Sequence, residues 1–160
     1  MIVIPGFMIY YLIIAAIIVS DRIVKLLVSS NLAVGETIPL IENVFHITYV
    51  QNRGAAFSMW EQQWLILVVM PAVVMLAGMI LLYVRRKTWN RFYLLSISFI
   101  CGGGLGNLID RTAQGYVVDM FDFRVFPVFN IADIFICAGC GLLLLYIIFI
   151  ERKHDSDERE

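Results

Sequence analysis

Four long runs of apolar residues dominate the chain: Ile2 to Val28, Trp64 to Val84, Phe92 to Ile109 and Val128 to Ile150. About 20 such residues suffice for a helix to cross a bilayer core of ~30 Å, so the pattern predicts four transmembrane helices. No Lys or Arg precedes the first run and no small-x-small site closes it, so it is expected to be a retained helix rather than a cleaved signal peptide. Between the first two runs the period changes. Thr37 to Ile41, a turn at Asn43, and Val44 to Gln51 are rich in β-branched and aromatic residues and predict a small sheet at the membrane surface. Asn52-Arg53-Gly54 reads as a turn, and Ala55, Ala56 and Phe57 lead into the second helix. The expected fold is an all-α membrane protein, four transmembrane helices with a small extracytoplasmic β-sheet, in one domain over residues 1–160. Its mixed-charge end, 151–160, is expected to be a flexible tail.

Composition sharpens this picture. The 160 residues are 61% apolar and 16% charged, with a net charge of −1, and the mean hydropathy is +0.84. No basic stripe with interleaved aromatics appears, so no nucleic-acid partner is expected. The link between the second and third runs holds Arg85, Arg86, Lys87 and Arg91 without an acid, whereas Ser29 to Gln63 holds Arg53 against Glu36, Glu42 and Glu61. The positive-inside rule then places the Arg85–Arg91 link and both termini in the cytoplasm, with the two longer loops outside.

The cysteines add little. Cys101, Cys137 and Cys140 lie in membrane runs, where a thiol is usually a small packing residue. Cys137 and Cys140 form C-x-x-C, but no second pair or nearby His completes a zinc site, and His46 and His154 are the only histidines. No metal and no cofactor are expected. Gly102 and Gly106 form G-x-x-x-G, which lets two helix backbones approach closely in lipid.

Ionisable groups within membrane runs cost roughly 2.5–3.5 kcal/mol each, so each requires a partner or a purpose. Asp21 and Lys25 sit at i, i+4 in the favourable order for an ion pair. Asn107, Asp110 and Arg111 sit at i, i+3 and i+4 near the end of the third run, and a helix-end pair of Asp110 with Arg111 would fix the following loop. Asn130 and Asp133 are i, i+3 at the start of the fourth, with Asp119 and Asp122 in the link before it. Asp133 has no basic neighbour in sequence, and the partly apolar link could bring Asp119 beside it. Two close, poorly solvated carboxylates share a proton, the arrangement of an aspartyl peptidase. An ion-coupled transporter would use buried carboxylates too, although there the polar groups favour the midplane and an internal repeat is common. A serine–lysine peptidase built on Lys25 and Ser29 would need a neutral Lys25, which Asp21 opposes. No G-x-G-D tetrapeptide of other intramembrane aspartyl proteases occurs.

Five segments in order resemble lipoprotein signal peptidase (signal peptidase II): Asp21-Arg22-Ile23-Val24-Lys25, Gln51-Asn52-Arg53-Gly54-Ala55-Ala56-Phe57, Gly104-Leu105-Gly106-Asn107-Leu108-Ile109-Asp110-Arg111, Val117-Val118-Asp119-Met120, and Phe129-Asn130-Ile131-Ala132-Asp133. Val24 stands where Thr or Ser is common, and Met120 where Phe is usual. The resemblance implies that Asp119 and Asp133 are the catalytic dyad. It implies that Asn52, Gly54, Asn107, Asp110, Arg111 and Asn130 line or brace the site, with Asp21 and Lys25 a polar pair at the outer end of the first helix. The activity implied is metal-free removal of signal peptides from diacylglyceryl-modified bacterial prolipoproteins, by cleavage before the lipidated cysteine. The enzyme is expected to be a monomer in contact with membrane lipids of the bacterial inner membrane, its site toward the extracytoplasmic face, with the Asn52–Phe57 link clamping the substrate.

Overall fold

A computed structural model describes residues 6–54 and 63–151. Helix α1 runs Met8–Asn31, strands β1 and β2 run Thr37–Ile41 and Phe45–Asn52, and a π-helical turn at Leu65–Val69 leads into α2, Met70–Arg85. Helix α3 is Arg91–Gln114, β3 is Val117–Asp122, and α4, Ile131–Tyr146, ends in a second π-helical turn, Ile147–Glu151. The elements follow the predicted runs, with α1 starting later and ending later, and α3 running five residues past Ile109. The expected lead of Ala55, Ala56 and Phe57 into α2, and the expected tail from 152 onward, lie outside the described residues.

The predicted pair of strands gains a third partner. The sheet is antiparallel in the order β1-β2-β3, with Thr37 opposite Thr48 and Asn52 opposite Val117. The β1–β2 turn closes at Asn43, whose φ of 61° is left-handed, a conformation Asn tolerates better than most residues. The link before α4 therefore contains a strand. Alternation along it divides its side chains: Val118 and Met120 join Val28 and Tyr49 in a core cluster, while Val117 and Asp119 turn to the other face, toward a pocket. Phe129 pairs back onto Phe121, so the 123–129 loop returns the chain beside Asp119 just as α4 begins.

The helices are apolar outward and polar inward. Large side chains such as Leu12, Leu26, Val73, Leu76, Ile80 and Leu144 are exposed, whereas Asp21, Lys25, Ser96, Ser98, Asn107 and Asp110 are buried. Among the described residues three helices are long and apolar enough to cross a membrane: Leu65–Arg85, Arg91–Gln114 and Ile131–Phe149. Helix α1 has 24 residues but carries Asp21, Arg22 and Lys25. Its buried residues, Ile14, Ile17, Asp21, Lys25 and Val28, recur at three- and four-residue steps, so the charges Asp21 and Lys25 share one inward stripe.

Helix α3 is the axis of the bundle, packed against α1, α2 and α4. Consecutive helical residues point about 100° apart, and Gly102, Gly103 and Gly104 use this to admit three neighbours at one level. A Cβ on Gly102 would meet Ile17 of α1 at 2.9 Å, one on Gly103 the Ala132 carbonyl of α4 at 2.2 Å, and one on Gly104 Met75 of α2 at 2.2 Å. Gly106 continues the α1 contact one turn on, where a Cβ would lie 2.9 Å from the Asp21 carboxylate. The G-x-x-x-G spacing is thus a helix-packing device, as expected of it. Because the atom facing Gly103 is backbone, Gly103→Ala is expected to destabilise the bundle by about 3 kcal/mol, the upper range for overpacking. Gly141→Ala, with open space around it, is the control. Unfolding in micelles by SDS titration measures both, and equal stability of the two variants would refute the packing argument.

Candidate active site

The site grows from one buried cation. Lys25 is 1% exposed; its ammonium forms ion pairs with Asp21 at 2.8 Å and Asp110 at 2.9 Å, and donates to the Asn107 carbonyl Oδ1 at 2.9 Å. Two carboxylates and an amide oxygen thus surround the ammonium within 3 Å. Arg22 adds a second cation on Asp110. Both carboxylates also bind backbone: Asp21 accepts the Ala132 N–H of α4 at 3.0 Å, and Asp110 accepts the Val118 N–H of β3 at 3.3 Å. The expected Asp21–Lys25 pair is present, but as part of a four-charge cluster in the core. The expected pairing of Asp110 with Arg111 is not found. Successive helical residues diverge, so Asp110 turns to α1 while Arg111 turns to the pocket.

Asn107 carries the order of this cluster into the pocket. With Oδ1 held by Lys25, its Nδ2 donates to Asp133 Oδ1 at 2.8 Å. Asn130 plays the matching part. It is the N-cap of α4, its Oδ1 taking the Asp133 N–H at 3.0 Å while Asp133 Oδ2 takes the Asn130 N–H at 3.2 Å, a reciprocal capping box. That leaves Asn130 Nδ2 to donate to Asp119 Oδ1 at 2.6 Å and to Asn107 Oδ1 at 3.1 Å. Asn52 Nδ2 donates to the other Asp119 oxygen at 3.1 Å, and Asn52 Oδ1 accepts the Gly54 N–H at 3.0 Å. The Gly54 carbonyl accepts from Arg111 at 2.9 Å, fastening the end of β2 to α3.

Asp119, Asp133, Asn52, Asn107 and Arg111 therefore face one pocket of about 260 Å³, closed on its apolar side by Val117, Phe126 to Phe129 and Cys137. A second, apolar hollow of about 310 Å³ continues from Asp133 along Phe126, Phe129, Ile134 and Cys137. Asp119 is 2% exposed. Burial first, and then the neighbouring charge of Asp133, push its carboxyl up to about 7, against the hydrogen bonds from Asn52 and Asn130 and the pull of Lys25. Asp122 stands apart, its side chain tied to Thr48 and Arg124. Burial opposes its ionisation, but hydrogen bonds from the Arg124 N–H, Thr48 and the Arg124 side chain hold it below the usual carboxylate range.

Sequence reasoning gathered the polar residues of this pocket and missed its walls. Phe126, Pro127, Val128 and Cys137 carry no sequence signal beyond being apolar, and Cys137, expected as a packing residue, lines the pocket. Asp133 does have a cation near it, Arg111, supplied by α3 rather than by its own helix. The Asn130-x-x-Asp133 spacing was a legible capping box that was not drawn from the sequence. The clamp expected of Asn52–Phe57 is described only as far as Gly54. Among the described residues no group of three or more His, Cys, Asp or Glu could hold a metal ion.

Apolar-surfaced helices closed around a pocket of carboxylates and amides mark a protein of the membrane with a buried polar site. More narrowly, the chain belongs to the signal peptidase II family: residues 13–149 match the family described as Signal peptidase (SPase) II. A lipoprotein signal peptidase of Halothermothrix orenii is 45% identical over 91% of this chain and 99% of its own length. One from Clostridioides difficile is 44% identical, again over 91% and 99%. A solved structure described as a bacterial membrane enzyme superposes with a TM-score of 0.80 at 27% identity, covering 87% of each chain.

Two outcomes follow from the network. Lys25→Met leaves Asp110 with Arg22 alone and takes from Asp21 its cation, and is expected to cost about 3–5 kcal/mol, the range for breaking a buried pair. Lys25→Met unfolding at wild-type denaturant would show that the cluster does not hold the bundle. For the pocket, the infrared band of protonated Asp119 is expected to fade as pH rises, with a midpoint about 7. In Asp133→Asn the midpoint should fall, because removing a nearby negative charge favours the ionised form; in Asn52→Ala it should rise, because a donor to that form is lost. Shifts of the opposite sign would overturn this electrostatic description.

Proposed function

We propose that this chain is an aspartyl endopeptidase that removes signal peptides from prolipoproteins, cutting on the N-terminal side of a diacylglyceryl-modified cysteine. Membership of the signal peptidase II family and relatives named lipoprotein signal peptidase support the substrate class. The observation that carries the reaction type is that Asp119 and Asp133 face one pocket, joined by Asn130, which donates to one carboxylate and caps the helix that bears the other.

In this reading the two carboxylates hold one proton between them. Asp133, in the first turn of α4, is the partner placed to take a proton from water. Asp119, the more buried, keeps the proton. A water between them gives a proton to Asp133 as its oxygen attacks the scissile carbonyl, while the Asp119 proton moves to the carbonyl oxygen. Collapse of the tetrahedral intermediate returns a proton to Asp119 and passes the one on Asp133 to the leaving amine, restoring the pair. Arg111, Asn107 and Asn52 position the carboxylates and the substrate backbone. The apolar hollow beside Asp133 takes the apolar residues flanking the cleaved bond.

The same reading makes α1 the fourth crossing, because its charges Asp21 and Lys25 turn inward and Leu12, Val19, Ile23 and Leu26 face outward. The Arg85–Arg91 link then lies in the cytoplasm with both termini, and the sheet and pocket lie at the extracytoplasmic face of the cell membrane. A single copy contains the full set of proposed groups, so the enzyme works as a monomer in contact with membrane lipids.

Asp119→Asn and Asp133→Asn, nearly isosteric, are each expected to abolish cleavage of a diacylglyceryl-modified prolipoprotein while the protein stays folded. Because the pair acts as a unit, the double variant should be hardly worse than either single one. Chelators should leave the wild type active. Substantial turnover by Asp133→Asn, or additive losses, would sink the shared-proton mechanism.

A further inference from the structure

The end of the bundle opposite the carboxylate pocket carries a second polar cavity, of about 490 Å³, between the start of α1, the end of α2 and the start of α3. Phe7, Tyr10, Arg86, Trp89, Arg91 and Leu94 line it. The four cations of this end, Arg85, Arg86, Lys87 and Arg91, have no carboxylate partner among the described residues; the ion pairs there all involve Arg22, Lys25 or Arg124. The Arg86 guanidinium is held in place without one. It lies 4.1 Å from the centre of the Tyr83 ring and 5.4 Å from that of Phe7, and donates to the Tyr83 carbonyl. Arg85 lies 5.8 Å from the centre of Trp89, which packs on Tyr93 at 4.4 Å, and Tyr93 on Tyr146 at 5.5 Å. Aromatic rings in such a belt sit at headgroup level, so these arginines sit there too.

From this juxtaposition we infer that the cavity is a binding site for the phosphate headgroup of an anionic phospholipid. The fork of Arg86, fixed by its rings, and the guanidinium of Arg91 supply the charge-assisted donors that a phosphodiester oxygen requires. The apolar rim of Phe7 and the exposed Ile9 is continuous with the lipid-facing surface where acyl chains would run. Basic pockets between membrane helices bind such headgroups, at about 1 kcal/mol for each Lys or Arg near the surface. That converts to roughly fivefold in retention for each arginine. The site is a bundle's length from Asp119, so its occupancy is independent of the proposed peptidase chemistry.

Native mass spectrometry of the full chain, released from micelles containing equal phosphatidylglycerol and phosphatidylcholine, reads the lipid retained. The wild type is expected to keep phosphatidylglycerol preferentially, and soluble glycerol phosphate in excess should not displace it. Arg86→Gln with Arg91→Gln should lower retention roughly thirtyfold while cleavage of prolipoprotein stays at the wild-type rate, whereas Lys87→Gln, outside the cavity, should change it little. Undiminished retention by the double variant overturns the site. So does a Lys87→Gln loss equal to that of either arginine, which would mean net charge rather than a cavity. Displacement by glycerol phosphate would make it a free-phosphate site and overturn the lipid assignment.

Discussion

The buried ammonium of Lys25 is the interaction on which the rest of the structure depends. Two carboxylates, Asp21 and Asp110, and two cations, Lys25 and Arg22, meet inside an assembly whose outer surface is apolar. Their charges cancel, two against two, which is the condition for keeping ions out of water at tolerable cost. The cluster does more than neutralise itself. Asp21 reaches the first turn of α4 and Asp110 reaches β3, so four elements distant in sequence are tied to one point. The hydrogen bond from Lys25 fixes which way Asn107 faces, and with it the donor presented to Asp133. Order passes from a buried ion cluster to the carboxylates that line the pocket.

Packing and polarity cooperate in this. Polar groups can approach one another inside the bundle only because α3 has no side chains at Gly102, Gly103, Gly104 and Gly106, where three helices press against its backbone. Close approach in lipid is driven by such contacts rather than by a hydrophobic effect, since lipid tails are as apolar as the side chains. Gly106 shows both demands at one residue: a Cβ there would crowd Asp21, the carboxylate that anchors α4 to α1.

Much of this was legible in the sequence, and for definable reasons. Hydropathy marked the helices because the bilayer demands long apolar runs, and the polar residues within them stood out as costs needing partners. Asp133 stands out on that ground, and Asp119 through a partly apolar link able to bring it alongside. What the sequence hid was pairing. Asp110 and Arg111 are adjacent in the chain yet face opposite tasks, because a helix separates neighbours by about 100°. The strand Val117–Asp122 is a six-residue segment that reads as a link, and only pairing with β2 makes it a strand. The inward stripe of α1 was half visible: the Asp21–Lys25 spacing gave the pair, but nothing in it pointed to Asp110 or Asn107, more than eighty residues away.

The two proposed catalytic carboxylates come from different kinds of element, and that bears on how their separation is kept. Asp119 sits on a strand whose register is set by β2, and Asp133 sits in the first turn of a helix whose start is set by its cap. Neither element alone fixes the distance between them. Asn130 does, because the amide that caps α4 through Oδ1 also holds Asp119 through Nδ2. A helix start displaced along the chain would move Asp133 and release Asp119 together. The cap is therefore part of the pocket: one amide both begins α4 and holds Asp119 beside Asp133.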